Sequence, residues 1–325
     1  MPTSVGMTGR RTAAVATTLQ DGMLAGATVF SSGRNGMSRI AYVNGRYLPQ
    51  REAAVNIEDR GYQFADGIYE VVHLYQGRFI DEDLHLDRLE RSLQAISLPE
   101  PMSRAALRHV LYEVARRNRV CEGLLYMQIT RGVARRDHAF PSKPVPPSVV
   151  VTIRRIPPYP TDIATWTASA VTYPDQRWAR CDIKTIALLP NVLARQAAKE
   201  KGALEAILLD ATGMVTEGAA TSFWIVDKNG VLRTRHLDHA ILPGCTRDAL
   251  LALIRDENVA FSETQFSEQD MRDAREAFIT SATSFVKPIV RIDDRPVGNG
   301  DVGPVTRRLF DAFARHVKGG LRNAA

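Results

Sequence analysis

A chain of 325 residues, 45% hydrophobic and 24% charged, is long enough to bury a large core and to fold as two domains around a cleft. Its net charge of +6 comes without a long run of basic residues, and no apolar stretch reaches the length of a membrane span, so neither a nucleic-acid partner nor a membrane is expected. Three cysteines, Cys121, Cys181 and Cys245, are too few and too scattered for a disulfide framework or a zinc knuckle, which points to a reducing, cytoplasmic setting.

Residues 1–37 are rich in Thr, Gly, Ser and Ala and carry Arg10, Arg11 and Arg34 against a single acid, Asp21. That composition cannot build a core, and a disordered extension is expected there. An Arg- and Ser-rich, acid-poor segment also suits a transit-type peptide, and Met7, Met23 and Met37 offer later translation starts.

From residue 38 the pattern becomes regular. Ile40-Ala41-Tyr42-Val43 turns at Asn44-Gly45 into Arg46-Tyr47-Leu48-Pro49, a hairpin signal. Tyr69 to Tyr75 alternates as a half-buried strand and turns at Gln76-Gly77 into Arg78-Phe79-Ile80. Leu84, Leu86, Leu89, Leu93 and Ile96 recur at helical spacing and predict a helix over 83–96; a second is predicted over 105–118. Strands at 124–130 and 149–154 flank a loop holding Arg136, His138 and Pro141. The closely spaced prolines of Ile156-Pro157-Pro158-Tyr159-Pro160-Thr161 bar helix and sheet interior alike, so residues 157–163 are expected to link a small α/β domain (38–156) to a larger one (164–318), with 319–325 as a tail. In the second half, strands are predicted at 166–171, 205–210 and 222–227, and helices at 191–201, 247–256 and 305–317. With no internal repeat, hairpins mixed with helices favour an α+β architecture over a doubly wound sheet.

Two tempting motifs fail on context. Gly298-Asn299-Gly300-Asp301-Val302-Gly303 fits the dinucleotide glycine pattern, but the chain ends one helix later and Pro304 follows, so it is read as a turn. His236 and His239 lack further ligands at metal-site spacing and are read as a solvated loop. Lys184 and Glu217 form a more productive pair. A lysine near a strand end can hold a carbonyl cofactor as a Schiff base, and a buried carboxylate keeps a pyridine nitrogen protonated, which together suggest pyridoxal phosphate chemistry.

Several segments in order carry a resemblance: Glu58-Asp59-Arg60-Gly61-Tyr62-Gln63-Phe64-Ala65-Asp66-Gly67-Ile68-Tyr69-Glu70, His85-Leu86-Asp87-Arg88-Leu89, Thr130-Arg131-Gly132, Arg180-Cys181-Asp182-Ile183-Lys184, Val215-Thr216-Glu217-Gly218 and Leu242-Pro243-Gly244-Cys245-Thr246-Arg247-Asp248. From about Arg39 to about Arg315 the chain resembles the fold-type IV pyridoxal phosphate aminotransferases. Arg136-Asp137-His138 stands where members acting on D-amino acids carry Arg-x-His. The resemblance implies a two-domain fold and a homodimer whose sites borrow residues from the neighbouring subunit. It also implies transfer of an amino group from a D-amino acid, typically D-alanine, to a 2-oxo acid, typically 2-oxoglutarate.

Carried over residue by residue, the resemblance makes Lys184 the Schiff-base lysine and the base that moves the Cα proton, and makes Glu217 the partner of the ring nitrogen. Arg88, Thr246 and Ser281 would hold the phosphate beside the N-terminus of the helix at Arg247, with Leu242, Cys245 and Ala282 completing the cofactor contacts. Tyr69, Arg136 and His138 would together bind the substrate carboxylate, and the side on which it is held decides which hydrogen faces Lys184. Two departures stand out. Ala282 replaces a frequent threonine, leaving Thr283 or backbone groups to serve, and Ala219-Ala220-Thr221-Ser222 is less polar than the run usual after the glutamate. Rival readings on the same scaffold are a branched-chain L-aminotransferase, an aminodeoxychorismate lyase and an amine transaminase. Outside it stand a silent cofactor-binding protein and a basic nucleic-acid binder.

Overall fold

The structure, a computed structural model, describes residues 39–319; the expected N-terminal extension and nearly all of the expected tail lie outside the described residues. The first sheet is built from β1 (Ile40–Val43), β2 (Arg46–Pro49), β3 (Gly67–Tyr75), β4 (Arg78–Phe79), β5 (Gly123–Thr130) and β6 (Ser148–Arg155). Between these strands lie α1 (Arg60–Phe64), α2 (Glu82–Ala95) and α3 (Arg104–Asn118). Its six strands run in the order β2-β1-β6-β5-β3-β4, antiparallel throughout. Asn44 and Gly45 both take positive φ, 46° and 88°, as a two-residue hairpin turn requires.

The predicted amphipathic helices dock as their spacing demands. Leu86, Leu89 and Leu93 of α2 and Leu107, Leu111 and Val114 of α3 are buried in one cluster with Val72, Leu125, Met127 and Ile129 of the sheet. The same inward stripe of α2 also buries His85, Arg88 and Ser92. Those polar side chains are thereby carried into the interior by the leucines around them.

The second sheet has nine strands: β7 (Ala168–Pro174), β8 (Glu205–Leu209), β9 (Val215–Gly218), β10 (Ser222–Val226), β11 (Leu232–Thr234), β12 (Phe261–Glu263), β13 (Glu276–Ser281), β14 (Phe285–Ile292) and β15 (Arg295–Pro296). The order is β12-β11-β10-β13-β14-β7-β8-β9 with β15 on β14, and the β11/β12, β14/β7 and β7/β8 pairs are parallel. Helices α4 (Leu189–Glu200), α5 (Cys245–Asp256), α6 (Glu268–Arg272) and α7 (Pro304–Gly319) accompany it. Leu250 and Ile254 of α5 and Leu309, Phe310 and Phe313 of α7 are buried with Trp224, Phe278 and Phe285 of the strands.

Elements that periodicity did not reveal are short or evenly buried. All residues of β9 are buried, which erases the alternation that marks a half-buried strand; β10, equally buried, falls where a strand was expected at 222–227. The strand expected from Trp166 begins at Ala168, because Ile163–Trp166 forms a 3-10 turn capped by the Asp162 side chain on the Ala164 N–H at 2.9 Å. Lys184, expected near a strand end, lies instead on irregular chain between β7 and α4.

The glycine-rich stretch before α7 has a packing role. Glu276 of β13 accepts from the N–H groups of Val305 and Thr306 at 3.1 and 2.7 Å, capping α7 from a neighbouring strand. A Cβ at Gly303 would sit 2.0 Å from the Glu276 carboxyl carbon. At its other end α7 is tied to the first sheet: His316 Nε2 lies 2.7 Å from Asp81 Oδ1, and Arg78 donates to the Val317 carbonyl at 2.9 Å.

The Asp81 carboxylate raises the His316 imidazole above its ordinary value against the opposing effect of burial. A raised folded-state value stabilises fully below the unfolded value, near ~6.5, and the contribution is lost as pH rises through the folded value. The stability difference between the native protein and His316→Gln, from urea unfolding, is therefore expected to be larger at about pH 5.5 than at about pH 9. Equal differences at both would show that the contact carries no charge.

Candidate active site

A cavity of about 240 Å³ opens between the two sheets. One wall comes from β3 and α2, with Tyr69 and Arg88; another from the segment before α4, with Lys184; the rest from β9, the turn into α5 and the β13–β14 turn, with Glu217, Thr246 and Ser281. Leu242, Cys245 and Ala282 also line it. Nine of the residues singled out in the sequence thus meet in one place although they span positions 69 to 282.

Lys184 is held by its backbone. Its carbonyl accepts from the Tyr69 N–H at 3.0 Å, the Ile186 N–H donates to Gly67 at 3.1 Å, and Thr185 bridges to Ile68, so irregular chain is zipped onto the edge of β3. The amine consequently lies 4.4 Å from the centroid of the Tyr69 ring.

Glu217 is 5% exposed, and its Oε1 accepts from Arg177 Nη1 at 2.5 Å and from the Leu242 N–H at 3.1 Å. Both bonds end on the same oxygen, which leaves Oε2 for a donor in the cleft. Burial pushes this carboxyl up from its ordinary value and the Arg177 guanidinium opposes it. Arg177 is in turn clamped by Asp175, at 2.9 Å through Nε and 2.7 Å through Nη2, and by the Ala240 carbonyl at 3.0 Å. Sequence reasoning passed over Arg177; its signal was an Asp-x-Arg triplet, Asp175-Gln176-Arg177, directly ahead of the lysine segment.

Arg88 is buried rather than solvated on its helix. Its Nε and Nη2 grip both oxygens of Glu70 at 2.8 and 2.7 Å, and its Nη1 donates to the Pro243 carbonyl at 3.0 Å. His85 Nδ1 lies 2.8 Å from the same carboxylate. Burial alone would raise Glu70, but Arg88 and His85 hold it well below the usual carboxylate range. Burial likewise works against the charge on Arg88 and is more than offset by Glu70. Glu70 and His85 lay inside quoted motifs without being given roles.

The far end of the cleft suits an anion. Gly244 is the N-cap of α5 and offers no side-chain cap, so the first N–H groups of a twelve-residue helix are left to the cleft. A Cβ at Gly244 would meet the Ser222 hydroxyl at 2.9 Å. Opposite, Ser281 Oγ is the hub of a small hydroxyl cluster, 3.0 Å from Thr283 Oγ1 and 2.7 Å from Ser284 Oγ. Thr283 also lines the cavity, beside the alanine at 282. Two thiols border the site: burial pushes Cys181 up to about 11 and Cys245 up to about 12.

Arg136 and His138 stand apart. Both are exposed on the β5–β6 loop and neither lines the cavity of its own chain, so the structure does not bring them together with Tyr69. The Arg136 guanidinium lies 5.0 Å from the Phe64 ring, and the His138 ring sits 5.4 Å from the same ring at a tilt of 50°. Their loop is pinned by Arg60, which donates to the carbonyls of Asp137 and Ala139 at 2.6 and 3.2 Å.

A lysine and a buried carboxylate facing one cleft that ends in an open helix terminus define a class, and the chain belongs to it: residues 67–292 match the family model described as amino-transferase class IV. The protein is a transaminase of the pyridoxal-phosphate-dependent class. It is 39% identical over 277 residues to the D-alanine aminotransferase of Listeria innocua, covering 85% of this chain and 95% of that protein. To the D-alanine aminotransferase of Staphylococcus haemolyticus it is 38% identical, covering 85% and 97%. Among solved structures, the Escherichia coli branched-chain amino acid aminotransferase superposes with a TM-score of 0.78 at 23% identity, over 85% of this chain and 94% of that one. The branched-chain aminotransferase of the archaeon Thermoproteus uzoniensis gives 0.75 at 24%, over 87% and 95%. At such identities these two speak for the shared fold alone.

Removing one partner of a buried ion pair leaves the other charge uncompensated, so Arg88→Met is expected to lower the unfolding free energy by about 3–5 kcal/mol. Adding Glu70→Leu should return a large part of that loss in chemical denaturation. A double variant no better than the single one would mean that Glu70 is not the source of the cost.

Proposed function

We propose that this protein transfers the amino group of a D-amino acid, with D-alanine the typical donor, to a 2-oxo acid such as 2-oxoglutarate, using pyridoxal 5′-phosphate carried on Lys184. The observation that carries the reading is the juxtaposition of the Lys184 amine, the free Oε2 edge of Glu217 and the uncapped α5 N-terminus along one cleft. The donor set fits the cofactor group by group: an amine for an aldehyde carbon, a carboxylate for a ring N–H, and helix N–H groups with hydroxyls for a phosphate. When bound, pyridoxal phosphate supplies that aldehyde carbon and a ring that takes up the electrons released at the substrate Cα.

The chain's own groups do the rest. Glu217, held by Arg177 and the Leu242 N–H, presents a fixed acceptor to the ring nitrogen. The N–H groups at Cys245 and Thr246, the Thr246 hydroxyl and the Ser281–Thr283 turn receive the phosphate, and Arg88 adds positive charge while holding the Pro243 carbonyl ahead of that helix. Leu242, which lines the same cleft, would contact the cofactor. The Lys184 amine would hold and move the proton released at the substrate Cα. Tyr69 offers its hydroxyl to the substrate carboxylate.

Arg136 and His138 serve the same carboxylate from the neighbouring subunit of a homodimer. Their distance from their own chain's cleft supports this, as do exposed apolar side chains around them, Ile57, Tyr62 of α1 and Phe140, and along α4, Leu189, Val192 and Leu193. A carboxylate clamped from across the interface fixes which face of Cα is turned to Lys184, and with it the handedness of the substrate. Neither a nucleic acid nor a membrane is needed as a partner; among the described residues no helix is long and apolar enough to cross a membrane.

The direct test is a half-reaction: purified yellow protein mixed with D-alanine, and separately with L-leucine, while the visible absorbance of the bound cofactor is followed. Bleaching by D-alanine alone is expected; bleaching by L-leucine alone would move the protein to the branched-chain activity, and silence with both to the lyase or amine-transaminase activities. Lys184→Ala should abolish the response. Arg136→Ala/His138→Ala should also be inactive, yet mixing that double variant with Lys184→Ala subunits should recover turnover through sites that combine one intact residue set from each chain. No recovery on mixing would argue against a shared site.

A further inference from the structure

β3 sends one more polar side chain into the interior, His73, 3% exposed and not part of the cavity wall. Its Nδ1 lies 3.3 Å from the carbonyl oxygen of Ala282, in the β13–β14 turn of the other sheet. A carbonyl can only accept, so Nδ1 carries the hydrogen and Nε2 keeps a lone pair. Nε2 is buried without a partner. Burial pushes the imidazole down to about 4, in keeping with a neutral ring. The ring also stacks on Phe285, centroids 4.7 Å apart and planes 17° from parallel. Phe285 closes the turn with φ of 49°, the left-handed region that a bulky side chain disfavours. Tyr159 and Phe313 hold its ring from other sides at 4.9 and 5.0 Å.

We propose that His73 is a positioning residue for the phosphate end of the site: its Nδ1–H fixes the Ala282 carbonyl, and its ring fixes Phe285, so that the Ser281–Thr283 groups face the phosphate. Two features make this turn dependent on an outside anchor. Position 282 is alanine, with no hydroxyl of its own, and Ser281 Oγ is spent inside the turn, accepting from the N–H groups of Thr283 and Ser284 at 3.3 and 3.2 Å. The anchor also spans the two sheets, so the strand that brings Tyr69 to the substrate end sets the geometry at the phosphate end as well.

The inference rests on the cofactor reading above, and the experiment separates the two. Apoprotein is titrated with pyridoxal 5′-phosphate and with pyridoxal, which lacks the phosphate. His73→Phe keeps a ring for Phe285 and removes the donor, and it should bind the phosphorylated ligand about tenfold more weakly, the size of one lost hydrogen bond, while its affinity for pyridoxal is unchanged. His73→Asn, which retains an amide N–H near the Nδ1 position, should recover much of the loss, and His73→Gln, with its donor one atom too far, should not. Should His73→Phe fail to fold, the Asn and Gln pair carries the same contrast. Equal weakening toward both ligands, or native affinity in His73→Phe, overturns the proposal. Native apoprotein that binds both ligands equally would instead sink the assignment of the phosphate site.

Discussion

Glu70 is wholly buried and still charged, and that is possible only because Arg88 and His85 converge on it from α2. A carboxylate taken out of water costs several kcal/mol unless it is paired with good geometry, and the two parallel contacts from Arg88 supply that geometry. The pair fixes how far along β3 the helix can sit. Because Arg88 spends its remaining nitrogen on the Pro243 carbonyl, the same contact reaches the turn that opens α5 in the other sheet. The cleft therefore inherits its width from an ion pair that joins a residue of its wall, Arg88, to one buried behind it, Glu70.

A second tie works at the edge of β3, where Tyr69 and Gly67 bond the backbone around Lys184. Between them, the β3 contacts set the lysine, Tyr69 and the helix with Arg88 on one rigid element, while the Arg177–Glu217–Leu242 bonds do the equivalent for the opposite wall. Preorganisation of this kind keeps reacting groups in register without reorganisation during turnover. It also explains why an irregular segment can carry the central lysine: its position is set by strand-like bonds to a neighbour rather than by its own secondary structure.

Much of this was legible before any coordinates. Lys184, Glu217 and the Gly244-Cys245-Thr246 start of α5 were readable because their chemistry demands a particular residue beside a turn or helix start. Local patterns also showed both long helices of the first sheet, since leucines at helical spacing leave little choice. Arg177, Glu70 and His85 were missed for one reason: each acts through a partner 15 to 40 residues away, and nothing in spacing distinguishes a buried charge from a solvated one. Arg136 and His138 were expected beside Tyr69, and the structure places them on an exposed loop outside the cavity of their own chain. The β5–β6 loop is pinned to α1 through Arg60, a placement that local spacing does not encode. The strand β13 lacked alternation because it is buried on both faces, and with it went the turn at Ala282.

The thiols of Cys181 and Cys245 bear on what the cleft must avoid. An aldehyde kept next to sulfur is open to capture by thiolate, a reaction that would compete with the amine for the same carbon. Pushed up by burial to about 11 and about 12, both sulfurs remain protonated at neutral pH. The apolar packing that buries them thus keeps two soft nucleophiles in the cleft wall in their unreactive, protonated form.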